Sequence, residues 1–76
     1  MIESLILVEG RDVNEETLRS VSLGNAKQLV VGRVPESGVV LHVAATAPVD
    51  LGAAVLKFAQ VPNVTQVWTL MVRTPR

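Results

Sequence analysis

The chain has no cysteine and a single histidine, His42. Disulfides are thereby excluded, and a structural metal site, which usually takes four ligands, has almost nothing to draw on. An excess of either charge is also missing, because seven Lys and Arg balance seven Asp and Glu. With no basic field, direct nucleic-acid binding is not expected, and neutrality weakens repulsion between copies. No apolar run is long enough to span a bilayer, and Met1-Ile2-Glu3-Ser4 lacks the basic start of a signal peptide. No membrane association is expected, and the expected location is the cytoplasm. There is no glycine-rich phosphate loop, no His- or Cys-rich cluster and no Ser-His-Asp set at a supporting spacing. Glu15 and Glu16 are adjacent and diverge on a helix, so they do not form an acid/base pair. No enzymatic activity, cofactor or metal is therefore expected.

What is present is apolar side chain in excess. The 76 residues make one domain spanning 1–76, about half the usual size, and 49% of them are hydrophobic against 18% charged. A domain so small buries only about 60% of the surface its unfolded chain exposes. Without disulfide or metal, oligomerisation is the remaining aid to stability.

Ile2 to Glu9 is a short Ile, Leu and Val run ended by Gly10, with the length and punctuation of a strand. Asp12 followed three residues later by Glu15 resembles a capping box and marks a helix from Val13 to Ser22. Val13, Thr17, Leu18 and Val21 share one face of it, and Gly24 is suited to end it in a left-handed conformation. Gln28 to Val34 and Val39 to Ala45 are β-rich. Between them Pro35-Glu36-Ser37-Gly38 makes a four-residue hairpin loop, with Pro presetting φ and Gly supplying a positive φ. Pro48 opens a second helix reaching Gln60, with Leu51, Ala54, Val55, Phe58 and Ala59 on its inner stripe. Val61-Pro62-Asn63 is a turn, and Val64 to Arg73 is a final strand.

The order strand, helix, strand, strand, helix, strand predicts an α+β fold of the ferredoxin-like βαββαβ type. Its four-stranded antiparallel sheet would have the first and third strands central and both helices on one face. A sheet wet on its other side should alternate apolar and polar residues, and this one hardly does. Val39, Leu41 and Val43 oppose Val40, His42 and Ala44. Val64, Trp68, Leu70 and Val72 oppose Val67, Thr69 and Met71, and Leu29 and Val31 oppose Val30 and Val34. The uncovered face is thus apolar and calls for a neighbour, most simply a second copy in a two-fold dimer or a higher oligomer. Val40, His42, Trp68 and Met71 are the candidate interface residues. Large aromatics dominate such interfaces, and a histidine there would make assembly pH-sensitive, although a lone strand histidine is more often simply packed. Val49, Gly52, Ala53 and Leu56 make a second apolar strip on the second helix. The candidate ligand-binding residues are Gly38, at the hairpin turn, with Thr46 and Asp50 at the start of the second helix, where backbone N–H groups can meet a carboxylate.

Gly38-Val39-Val40-Leu41-His42-Val43, Asp50-Leu51-Gly52 through Val55-Leu56, Val61-Pro62-Asn63-Val64 and Leu70-Met71-Val72-Arg73-Thr74 together resemble the effector-binding (RAM) domain of the leucine-responsive/asparagine (Lrp/AsnC) regulators. The likeness covers about half the chain. It implies a self-associating βαββαβ module that binds a small-molecule effector, such as an amino acid, between protomers, in a stand-alone form without DNA-binding helices. Val39-Val40 follow Gly38 where that family often carries an aromatic-Asp pair. Ile2-Glu3-Ser4-Leu5-Ile6-Leu7-Val8 and the hairpin from Pro35 to Val43 also look like the assembly chaperones of periplasmic nitrate reductase, which bind a signal peptide on the sheet. Amino-acid-binding ACT domains have a similar outline. Acylphosphatases share the strand order, but their glycine-rich loop with a following Arg is missing.

Overall fold

The computed structural model describes residues 1–74. The chain runs β1 (Ile2–Gly10), α1 (Glu15–Arg19), β2 (Lys27–Val34), β3 (Gly38–Ala45), α2 (Pro48–Ala59) and β4 (Val64–Arg73). The four strands form one antiparallel sheet in the order β2-β3-β1-β4, so the first and third strands are central. Ile6 and Val8 of β1 stand opposite Leu41 and Val39 of β3, and all four are fully buried. The same core cluster contains Leu18 from α1 and Leu51, Ala54 and Phe58 from α2, so both helices lie against one face of the sheet. Burying Phe58 completely stabilises the fold by about 2–3 kcal/mol. Among the described residues, no helix is long and apolar enough to cross a membrane.

α2 matches its sequence pattern closely, with Leu51, Ala54 and Phe58 buried and Pro48 at its start. Ala59, expected on the inner stripe, is exposed at the last turn. The second strip of α2 faces outward: Val49 and Leu56 are among the most exposed apolar side chains, and Gly52 and Ala53 are exposed between them.

α1 is the main departure. It has five residues instead of ten, and Asn14 caps it in place of Asp12, the Asn14 side-chain oxygen accepting the Glu16 N–H at 2.7 Å. Asp12 instead turns the chain with a φ of 60°, and Val13 is buried ahead of the helix. The helix stops early because its last carbonyls find other donors. The Ser20 hydroxyl donates to the Thr17 carbonyl at 2.8 Å. The Gln28 side-chain amide on β2 donates to the carbonyls of Leu18 and Val21 at 2.8 and 3.2 Å. Gly24 does adopt a left-handed φ of 67°, but beyond the helix, in the turn that leads to β2.

The β2–β3 loop is also shorter than expected. Gly38 already pairs with Val34, which leaves Pro35-Glu36-Ser37 as the loop, and Glu36 takes the positive φ (65°). Gly38 is needed for space: a Cβ there would run into the Val8 carbonyl oxygen. The Pro62-Asn63 turn repeats the design, with Asn63 at φ 73°. In each case the N–H two residues past the proline bonds back to the carbonyl just before it: Ser37 to Val34 at 3.1 Å, Val64 to Val61 at 3.2 Å. That is the type II pattern, with Pro at the first corner and positive φ at the second.

Three register shifts correct the expected faces of the edge strands; the one between Glu9 and Gly10 leaves Thr65 as an extra residue of β4 and puts Val64 on the core side with Val67. β4 slips against β1 between Leu5 and Ile6, leaving Leu70 as the extra residue. Trp68 therefore shares a face with Met71, while Val72 joins Val67 and Thr69. β2 slips against β3 between Val30 and Gly32, so Val31 is the extra residue and Val34 returns to the face of Leu29. A bulge inserts one residue and so reverses the alternation beyond it.

Candidate binding face

The uncovered side of the sheet is built from four rows of residues that face one another across the strands, read from β2 to β4. The first is Lys27, Ala44, Glu3 and Arg73; the second is Leu29, His42, Leu5 and Met71. The third is Gly32, Val40, Leu7 and Trp68; the fourth is Val34, Gly38, Glu9 and Gln66. The two middle rows are apolar apart from His42. The outer rows carry the charged and amide groups. An apolar patch with a polar rim is the common form of a protein-binding surface.

All four residues expected at an interface lie on this face, and all four are in the middle rows. Val40 and Trp68 flank Leu7, while His42 and Met71 flank Leu5. Val40 and His42 are half-buried by their neighbours, whereas Trp68 and Met71 are about half exposed.

Strand pairing brings His42 to two partners distant in sequence. One Glu3 carboxylate oxygen lies 3.3 Å from His42 Nε2 and accepts from Arg73 Nε at 3.0 Å. The hydrogen bond from His42 first, and that from Arg73 second, hold the Glu3 carboxyl below its ordinary titration range. Such contacts favour the charged form. These three side chains, with Ser4, Leu5 and Met71, line a hollow of about 240 Å³ at one margin of the face. Among the described residues Ser4 is the one buried polar residue, its hydroxyl donating to the Met71 carbonyl at 3.0 Å beside the β4 bulge.

The expected ligand residues are not gathered. Gly38 begins β3 and lines a second hollow of about 400 Å³ at the opposite end of the sheet, with Arg11, Arg33 and Glu36 among its walls. Thr46 and Asp50 follow the far end of β3, roughly 23 Å along the strand from Gly38. Among the described residues, no three His, Cys, Asp or Glu side chains come together as a metal set.

Glu3, Leu5, Leu7, Gly32 and Arg73 were not singled out from sequence, yet each belongs to the face. A signal for two of them was present. If the first strand is central and the last pairs with it antiparallel, the start of one meets the end of the other, which brings Glu3 to Arg73. Compared with protein-family models, curated proteins and solved structures, the chain matches none.

Proposed function

We propose that this domain is a self-associating regulatory module whose open sheet face receives a second copy of itself and which holds a small-molecule effector between the two. The observation that carries the reading is the pair of apolar rows bounded by polar ones, on a face that neither helix covers. The central first and third strands, with both helices on one side, support a ferredoxin-like reading of the fold. The likeness of the β3, α2 and β4 sequences to the Lrp/AsnC effector-binding domain supports the regulatory reading.

Area decides whether the face is adequate. Four strands about 4.8 Å apart, each contributing about eight residues at about 3.3 Å, give roughly 500 Å² per copy. Two copies would bury roughly 1,000 Å², the lower limit of a specific interface. Association through such an area would be weak and reversible, which suits a regulator.

The Glu3–His42–Arg73 hollow supports the effector half of the proposal. It lies at the margin of the face, where a second copy would roof it, and it offers a carboxylate beside an imidazole and a guanidinium cation. An α-amino acid matches that lining, its carboxylate toward Arg73 and its ammonium toward Glu3. Sedimentation of the purified domain, followed by a thermal-shift screen of amino acids, tests both halves. A dimer whose melting temperature rises with one amino acid is the expected result. A monomer at every concentration would remove the proposal.

A second reading rests on the outer edge of β4. Its ten residues carry no proline and no charge before Arg73, so apart from its bulges little guards its backbone against strand addition. A monomer that binds an extended peptide would favour an assembly chaperone.

A further inference from the structure

Gly32 follows Val31, the extra residue of the β2 bulge, and its surroundings leave room for a side chain. It does not adopt a positive φ, and a Cβ built on it would meet nothing within 4 Å. Gly10 and Gly38 differ, because a Cβ at either would collide with neighbouring backbone, and Gly24 differs because its φ is 67°; Gly52 is equally open but lies on α2, away from the sheet face. A glycine inside a strand weakens it and often marks a bulge, as here, or a close approach by something else. Gly32 lies on the open face at the β2 edge. Trp68 lies in the same row at the β4 edge, 45% exposed. One edge of the apolar row is thus a gap and the other is the largest side chain in the sequence.

We infer that the domain pairs about a two-fold axis parallel to its strands, so that Trp68 of each copy fills the gap above Gly32 of the other. This rests on the proposed self-association and specifies its geometry. Rotation about such an axis keeps each row against the same row and exchanges the two edges. β2 then faces the second copy's β4, and Val40 faces its Leu7. Packed sheets are offset by about 30°, which shifts an edge residue by roughly one position along the strand, a distance the indole spans.

The other in-plane two-fold, parallel to the rows, would set each strand on its own counterpart. Glu3 would then meet the second copy's Glu9 at the ends of the central strand, with His42 and Arg73 already beside Glu3. In the proposed arrangement those carboxylates meet Ala44 and Gly38. Its like charges, Lys27 against Arg73, meet at exposed corners instead. The row-parallel axis would also set Trp68 against the second copy's Met71 and Gly32 against its Leu29, so only the strand-parallel axis brings the knob to the gap.

An exchange of the two residues tests the geometry. Gly32→Phe fills the gap and Trp68→Ala removes the knob, and each should raise the dimer dissociation constant by about tenfold. If the two sites were independent, the double variant would weaken association by about a hundredfold. The expected result is that G32F/W68A returns to within about threefold of the original, because the aromatic has only changed strands. Sedimentation equilibrium reads all four proteins, and far-UV circular dichroism checks that each is folded. A wild-type dimer with multiplicative effects in the double variant overturns the axis and leaves self-association standing. A monomeric wild type overturns both.

Discussion

At the scale of the residue, the open face is organised by Glu3. Its carboxylate receives His42 and Arg73 on one oxygen, and these contacts lower its titration below the ordinary value of 4.5. Between the folded and unfolded values the unfolded chain binds more protons, so stability rises with pH across that interval. The contribution is complete above the unfolded value and is lost as pH falls through the folded one. Glu3→Gln should therefore flatten the acid limb. Its melting temperature should fall less than that of the original protein on going from about pH 5 to about pH 3. Parallel limbs for the two proteins would show that the three side chains do not couple in solution. The sequence held these residues in view singly, since His42 stood out and Glu3 and Arg73 did not. What joined them was register, which no local pattern carries.

At the scale of the element, legibility followed the source of the signal. α2 and all four strands announce themselves by period and composition, and their bounds fall within a residue or two of expectation. α1 did not, because its length is set by the Gln28 amide, which reaches back from another element to hold the carbonyls of Leu18 and Val21. The faces of β2 and β4 were misread around Val31, Thr65 and Leu70 for a related reason: which residue bulges depends on the partner strand. The β2–β3 turn offers a direct check. Glu36 occupies a left-handed conformation that costs a side-chain-bearing residue about 1 kcal/mol and costs glycine almost nothing. Glu36→Gly should raise the melting temperature by up to about 4 °C, because the added freedom of the unfolded chain offsets roughly 0.4–1 kcal/mol of the gain. A lowered melting temperature would mean that Glu36 makes a compensating contact in solution.

At the scale of the whole molecule, the open face has a charged gradient along its strands. The first row carries Lys27, Glu3 and Arg73, a net positive margin, and the fourth carries Glu9, a negative one. A two-fold parallel to the strands sets like margin on like. Lys27 then lies near the second copy's Arg73 at both corners. Each such exposed pair opposes association by up to about 1 kcal/mol in water. Salt screens charges at that distance while leaving apolar burial intact, since the Debye length shrinks to about 8 Å at physiological ionic strength. Raising the ionic strength from low to physiological should therefore tighten the dimer, by about two- to fivefold. Lys27→Glu turns the corner pair attractive, so that variant should associate more tightly at low salt and loosen as salt is added. Titrating both proteins with sodium chloride in the ultracentrifuge reads the two slopes. Under the row-parallel two-fold, Lys27 would face Val34, so the substitution would create no corner pair and the sign of the slope would not reverse. Opposite slopes thus report the orientation of the two copies through charge, where the Gly32 and Trp68 exchange reports it through volume.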